Sequence, residues 1–528
     1  MDSIDTSSTP GTSYDQVPYT SRSFPQSHPD RLATLARLFG MTPTPVTRCR
    51  VLEMGCAGGG NLIPMAFHLP DSEFVGVDFS ERQIQMASET ITALELDNIR
   101  VEKASIMDID RSWGTFDYII CHGVFSWVAD EVQEKILSVA SANLAPRGVA
   151  YVSYNTYPGW HLREMIRNMM HYHIGQFTDT ARRIRQARAL IDFLADSVST
   201  DTYYGQMLQS ELQLVQSVKD WYLFHDHLEE VNAPLYFHEF ISRAANHHLQ
   251  YLGEADFSAM LNSGFPKEVA ETLNRISPHI IRTEQYMDFL RNRFFRQTLL
   301  CHQDQTLHRN LDPQSLEGFL IASPTAPVTA HIDLSPGKKQ SFRAPSGKSF
   351  STGFPLTKAA LGVLQEHWPR ALDQDRLRRE SFQRIGLQNP TDSMLADWKT
   401  VCGDLLHCYT FSHIELHTWQ ADFVTTVSAC PRASRLATQQ IQQSANVTNQ
   451  RHEQVSLDAV ARSLVRALDG TKDHQALLRH LIMCAESGEL TIKRDGATLT
   501  NHELIEQALR NTLRQALNKF SKEALLVG

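Results

Sequence analysis

Nowhere in this 528-residue chain does an apolar run approach the roughly 20 residues that cross a bilayer, so the sequence offers no transmembrane helix. The first residues are polar and acidic, not basic then apolar. No secretory signal is expected, and the cytoplasm is the expected compartment. The eight cysteines (Cys49, Cys56, Cys121, Cys301, Cys402, Cys408, Cys430 and Cys484) include no C-x-x-C pair, and several stand inside apolar runs where they pack as small hydrophobes. That speaks against a disulfide framework and against a cysteine zinc site. Basic excess is missing too: a formal net charge of −9 argues against nonspecific attraction to nucleic acid. His225, His227, His238, His247 and His248 are numerous but lack a settled ligand spacing. They are expected to be solvated or capping residues, and no metal is expected. No internal repeat stands out.

What is present is ordinary globular composition, 42% hydrophobic and 21% charged, at a length that calls for several domains. The most informative stretch is Val51-Leu52-Glu53-Met54-Gly55-Cys56-Ala57-Gly58-Gly59-Gly60-Asn61. An apolar strand ends in a carboxylate and turns at once through glycines, which lets backbone approach a nucleotide closely. Glu53 selects among nucleotides. A dinucleotide pyrophosphate would be repelled by a carboxylate two residues before the first glycine, whereas the ammonium and sulfonium groups of S-adenosylmethionine would be attracted. Phe74-Val75-Gly76-Val77 then leads into Asp78, about 20 residues beyond the glycines, where an acidic side chain accepts ribose hydroxyls.

Periodicity continues the pattern: a helix from Ser80, strands at 99–102 and 116–121, a helix from Asp130, and a strand at 149–154. A doubly wound parallel sheet is the expected outcome. A further helix is expected at 162–174 and a helical insertion at 176–230. Another helix is expected at 239–247, and strands at 249–252 and 296–301 that complete the sheet. The expected divisions are a disordered tail at 1–12, a cofactor domain at 13–175, the insertion, a middle region at 231–322 and a linker at 323–336. Beyond these lie a winged-helix-like unit at 337–425 and a helical region at 426–528, with Ser456 and Asp473 as N-caps. The winged-helix outline rests on short strands at 340–343 and 349–352, helices at 357–367, 373–385 and 392–407, and a β-like stretch at 413–419. Arg376, Arg378, Arg379 and Arg384 on its second helix alternate with acidic residues. A solvated face is expected there, not a DNA-reading one.

Long segments resemble the bacterial class I methyltransferases that carry a regulatory domain, and are similar to the rickettsial-type protein lysine methyltransferases. They are Ser13 to Tyr19, Phe24-Pro25-Gln26-Ser27-His28-Pro29-Asp30-Arg31-Leu32, the glycine turn, His122-Gly123-Val124-Phe125-Ser126-Trp127-Val128, and Tyr151 to Trp160. Tyr236-Phe237-His238-Glu239-Phe240 and Gln250 to Phe257 resemble the regulatory domain. The resemblance implies a Rossmann-like α/β domain with a helical insertion and a mostly α C-terminal half containing a winged-helix-like domain. It implies S-adenosylmethionine held by Tyr14, Glu53, Gly55, Cys56, Gly59, Asn61, Asp78, Phe79, Gln83, Ser105, Ile106 and His122. Tyr19, His122, Asn155, Tyr157 and Trp160 are the implied catalytic residues: His122 stands where sulfonium and acceptor meet, and Tyr14, Tyr19, Tyr154, Asn155, Tyr157 and Trp160 supply a desolvated aromatic mouth that favours a neutral amine and stabilises methylammonium. Ala57 stands where many such enzymes carry glycine, which is tolerable if φ stays negative.

Two substrates drop out on an absence: the fourth strand ends without the Asn/Asp-Pro-Pro-aromatic loop with which DNA- and glutamine-methylating enzymes grip a planar nitrogen. The expected partner is a protein substrate, a cell-surface protein among the candidates, and a homodimer is left open. Two other classes stay open: a small-molecule methyltransferase, and a cofactor-sensing regulator whose winged helix reads DNA.

Overall fold

A computed structural model describes residues 21–277, 279–387, 391–494, 497–499 and 501–528. The tail at 1–12, Tyr14 and Tyr19 lie outside them.

The first half is built on seven strands: β1 (Arg50–Met54), β2 (Glu73–Asp78), β3 (Ile99–Lys103), β4 (Phe116–Cys121), β5 (Leu144–Asn155), β6 (Leu249–Glu254) and β7 (Phe295–His302), in the order β3-β2-β1-β4-β5-β7-β6. Alternation explains its two cores. Val51, Phe74, Tyr118 and Tyr151 point to one face, where they pack with Leu32 and Leu62; Leu52, Val75, Ile119 and Ala150 point to the other, against Ile136 and Leu137. β3 through β5 pair in parallel as expected. The last two strands complete the sheet as expected, and do so in the opposite sense: β7 runs antiparallel between β5 and β6.

That antiparallel edge is tied by charge. Arg296 of β7, fully buried, reaches Glu254 of β6 at 2.8 Å and Glu284 and Asp288 of the helix Ile280–Arg291 at 3.1 and 2.8 Å. Thr298 and Tyr251 hydroxyls donate to Glu254 and Glu284 at 2.7 and 2.6 Å. Burial pushes Glu284 and Asp288 up, against the pull of Arg296. Burial opposes ionisation of Glu254 as well, but Arg296 and Arg293 overcome it and hold this group below its ordinary value.

The insertion has a core of its own. The helix Trp160–Ile174 gives Ile166, Met170 and Ile174 to a cluster with Ile184, Ile191, Leu208, Leu223 and Phe224 from the helices Thr180–Ser197, Tyr203–Ser217 and Asp220–His227. In the C-terminal half, β8 (Leu320–Ala322) sits between β12 (Leu372–Asp373) and β13 (Glu415–His417), beside the helices Pro355–His367, Gln374–Arg384 and Asp392–Thr410. The stretch 323–336, expected as a linker, contains β9 (Ala326–Pro327), which pairs with β10 (Gln340–Arg343); β11 (Ser349–Thr352) completes that sheet. It is further pinned by the Lys358 ammonium, which donates to the Asp333, Ser335 and Lys338 carbonyls. On Gln374–Arg384 the arginines are answered locally, Arg376 by Glu380 and Arg378 by Asp375. Asp473 caps its helix, but Ser456 lies in β15 (Gln454–Ser456), and the cap of Ala459–Ala467 is Asp458.

Ala57 contradicts its expectation: φ is +46°, held there by its N–H donating to Asp78 Oδ2 at 2.9 Å. A left-handed alanine costs about 1–2 kcal/mol, more than the ~0.4–1 kcal/mol by which glycine loosens the unfolded chain. Ala57→Gly is therefore expected to raise the melting temperature slightly, and an unchanged or lower value would show the turn unstrained.

Candidate active site

At the C-terminal ends of β1, β2, β4 and β5 lies a cavity of about 770 Å³. Its position follows from the topology, since chain order reverses between β1 and β4 and the loops diverge there. Gly55 (φ +76°) makes the first turn; a side chain there would meet Val124 Cγ2 at 2.4 Å. Gly60 leaves room for the N-terminal segment, whose backbone at Ser21 and Arg22 would lie 2.5–2.6 Å from an added Cβ. Ser21 Oγ accepts from the Gly60 N–H at 2.7 Å, so Ser21, Arg22 and Phe24 form part of the cavity wall.

Glu53 is buried, with Oε1 accepting from Asn61 Nδ2 at 2.7 Å and Oε2 without a hydrogen-bond partner. Burial pushes its carboxyl up to about 8; the Asn61 contact works against that rise and Asp78 adds to it. An orphaned, desolvated carboxylate oxygen in a cavity wall fits a ligand cation, which restores the charged form. Asp78 uses both oxygens on the turn, accepting from Ala57 and Ser80 N–H groups at 2.9 Å, and also faces the cavity. Phe79, Gln83, Cys56 and Ile106 lie along the same wall. Ser105 lines it too, but its hydroxyl is spent as a cap for Met107 N–H at 3.2 Å. Burial raises the Cys56 thiol far above its ordinary range, which leaves it no nucleophile.

At the far end the cavity is bounded by Trp127, Asn155, Trp160, Arg163, Tyr222 and Phe294. Asn155 Nδ2 and Trp160 Nε1 are buried donors without partners. Arg163 stands over the Trp160 and Phe294 rings, 5.1 and 5.4 Å from their centroids. His122 shares a 2.7 Å hydrogen bond through Nδ1 with the Tyr151 hydroxyl and lies 3.7 Å from the Phe24 ring; burial, then Arg22, lowers it to about 3, so it is neutral.

Two expected site residues stand apart from this wall. Gly59 lies behind it, and Tyr157 turns away, donating its hydroxyl to Glu164 at 3.0 Å and stacking on His161 at 3.9 Å. Tyr222, His225 and Asp226 come from the helical insertion and Gln297 from β7; no local motif marks them. His225 and His227 also correct the expectation of solvated histidines, being 4% and 0% exposed.

Sheet order, glycine turn and acidic strand ends define a class I methyltransferase fold with its cofactor site. A family described as a methyltransferase domain matches residues 46–212, a predicted methyltransferase regulatory domain matches 219–302, and a PKMT C-terminal winged helix domain matches 430–525. The last falls on the stretch expected as a helical region, beyond the winged-helix-like outline at 337–425. An uncharacterized protein of Rickettsia prowazekii is 38% identical over 97% of this chain and 93% of its own length. The structure of PKMT2 from Rickettsia typhi in complex with AdoHcy superposes with a TM-score of 0.88 at 33% identity, covering 97% of this chain and all of that one (100%). The chain belongs to this rickettsial-type family of class I methyltransferases, and its cofactor is S-adenosylmethionine.

With Glu53 read as the partner of the cofactor's cation, its proton leaves on binding, so affinity for S-adenosylmethionine is expected to rise from pH 6 to about 8, the value to which burial lifts this group. Titration calorimetry at pH 7 in buffers of different ionisation heat should show proton release. A pH-independent affinity without release would remove this role of Glu53.

Proposed function

We propose that the enzyme transfers the cofactor's methyl group to lysine side chains of a protein. The observation that carries this is the far lobe of the cavity, where Trp127, Trp160 and Phe294 surround a place already visited by the Arg163 cation. Aromatic faces attract methylated ammonium, while desolvation and the fixed Arg163 charge disfavour a protonated lysine, leaving its lone pair free. When bound, S-adenosylmethionine supplies an electrophilic methyl on a sulfonium. The amine nitrogen would bond to that carbon with the carbon–sulfur electron pair passing to sulfur, and the extra proton of the methylated nitrogen would pass to solvent. Glu53 and Asp78 bind the cofactor in this scheme, the 21–27 segment and the insertion exclude water, and Asn155 orients the acceptor. PKMT2 as a similar protein supports the reading.

No helix among the described residues is long and apolar enough to cross a membrane. A cytoplasmic location, and modification of a cell-surface protein before export, belong to the same proposal. Incubation with labelled S-adenosylmethionine and candidate cell-surface proteins, followed by mapping of methyllysine by mass spectrometry, tests it. Label found only in small molecules would replace it with the small-molecule reading.

A further inference from the structure

The C-terminal domain reaches the glycine turn of the cofactor site through His452. Strands β14 (Asn446–Thr448) and β15 form a hairpin whose turn carries His452 under the glycine turn, and His452 Nε2 lies 2.9 Å from Asn61 Oδ1, a contact between residues 391 positions apart. Both residues are buried at 2% exposure. Asn61 Oδ1 can only accept, so Nε2 carries the proton and donates. The Phe24 N–H donates to the same oxygen at 2.9 Å. Two donors on Oδ1 fix the carboxamide with its NH₂ group toward Glu53 Oε1 at 2.7 Å and Ser27 Oγ at 3.0 Å. A flipped amide would set NH₂ against two donors and an oxygen against the carboxyl.

The hairpin tip is built to hold this position. Asn449 Oδ1 accepts from the Arg451 and Glu453 N–H groups at 2.9 and 2.8 Å, Gln450 N–H donates to the Ala524 carbonyl at 3.0 Å, and Arg451 pairs with Glu415 at 2.6 Å. His452 itself is left-handed, with φ +62°.

We propose that His452 is a positioning residue for cofactor binding: by fixing the Asn61 carboxamide it aims the Glu53 carboxyl into the cavity, and so couples docking of the C-terminal domain to affinity for S-adenosylmethionine. This rests on Glu53 as partner of the cofactor's cation. The groups around the chain leave His452 acting as a neutral donor. His28, whose ring is 5.0 Å from that of His452, and His68 are both lowered by burial, to about 4 and about 3, and His452 is held well below its ordinary value by the same cause. Glu53 otherwise interacts with Asp78 on β2, Cys56 in the turn and Cys121 on β4.

His452→Phe keeps ring bulk and removes the donor, whereas His452→Gln keeps an N–H within reach. In the full-length enzyme the phenylalanine variant is expected to bind S-adenosylmethionine about five- to tenfold more weakly at pH 7, the worth of one buried hydrogen bond. Its affinity should level off at a higher pH than in the wild type, the loss should appear in KM for the cofactor and not in kcat, and the glutamine variant should restore most of it. In a double-mutant cycle the variant carrying both His452→Phe and Asn61→Ala should bind no more weakly than the one carrying Asn61→Ala alone. Wild-type affinity and pH profile in His452→Phe, with Glu53→Gln impaired, would overturn the inference. So would a loss that is equal at every pH and is not rescued by glutamine, which marks a merely structural role. Unchanged affinity in Glu53→Gln would instead bring down the reading of Glu53 on which it rests.

Discussion

Replacing Asp78 by alanine is expected to weaken binding of S-adenosylmethionine about 100-fold. The variant loses two things together. One is the carboxylate that faces the cavity at the end of β2, and the other is the pair of 2.9 Å hydrogen bonds that hold the Ala57 and Ser80 backbone in place. In the proposed role Asp78 also accepts two ribose hydroxyls; charge-assisted hydrogen bonds are worth about 1.5–3 kcal/mol each, so their loss corresponds to roughly 3 kcal/mol or more, two decades in affinity. Asp78→Asn keeps one acceptor oxygen and should fall between the two. Titration calorimetry decides the matter, and an Asp78→Ala enzyme with wild-type affinity would dismiss the ribose role.

The other large effect concerns stability. In Arg296→Ala the carboxyls of Glu254, Glu284 and Asp288 remain buried at 1%, 1% and 0% exposure, and among the described residues Arg293 alone is left within ion-pair distance, at 3.5 Å from Glu254 and 3.6 Å from Asp288. Breaking a buried ion pair on one side costs about 3–5 kcal/mol. The sign with pH follows from the direction of the shifts. Without Arg296 the carboxyls are raised by burial in the folded state, so stability present at low pH is lost as pH climbs through those values. The variant's deficit in melting temperature should therefore be large at pH 8 and smaller at pH 5. A constant deficit would mean that packing of Arg296 over the Phe237 ring, at 3.7 Å, outweighs its charge. Because β7 also carries Phe295 and Gln297 into the cavity wall, methyl transfer should decline along with stability.

Much of the first half was legible before any coordinates. The helix after Asp130 begins at that residue, and Ser80 caps its helix by accepting from Gln83 N–H at 3.2 Å. The strands at 340–343 and 349–352 also fall where periodicity places them. Other features escaped because they are decided between distant segments. The direction of β7 depends on which edge of β5 it meets, and the sign of φ at Ala57 on a carboxylate 21 positions away. The far end of the cavity draws on an insertion and a late strand whose sequences carry only helical or apolar periodicity.

By itself the sequence determined the α/β order, the glycine turn, and the placing of Glu53 and Asp78 at the ends of neighbouring strands. Those depend on local rules, the two- and 3.6-residue periods and the backbone freedom of glycine. Only the tertiary structure decided that Tyr157 points to Glu164 and away from the cavity, that insertion and β7 residues close the far lobe, and that His452 reaches Asn61. Such contacts form when separately folded surfaces meet, and complementarity between surfaces far apart in the chain leaves no period or spacing to read.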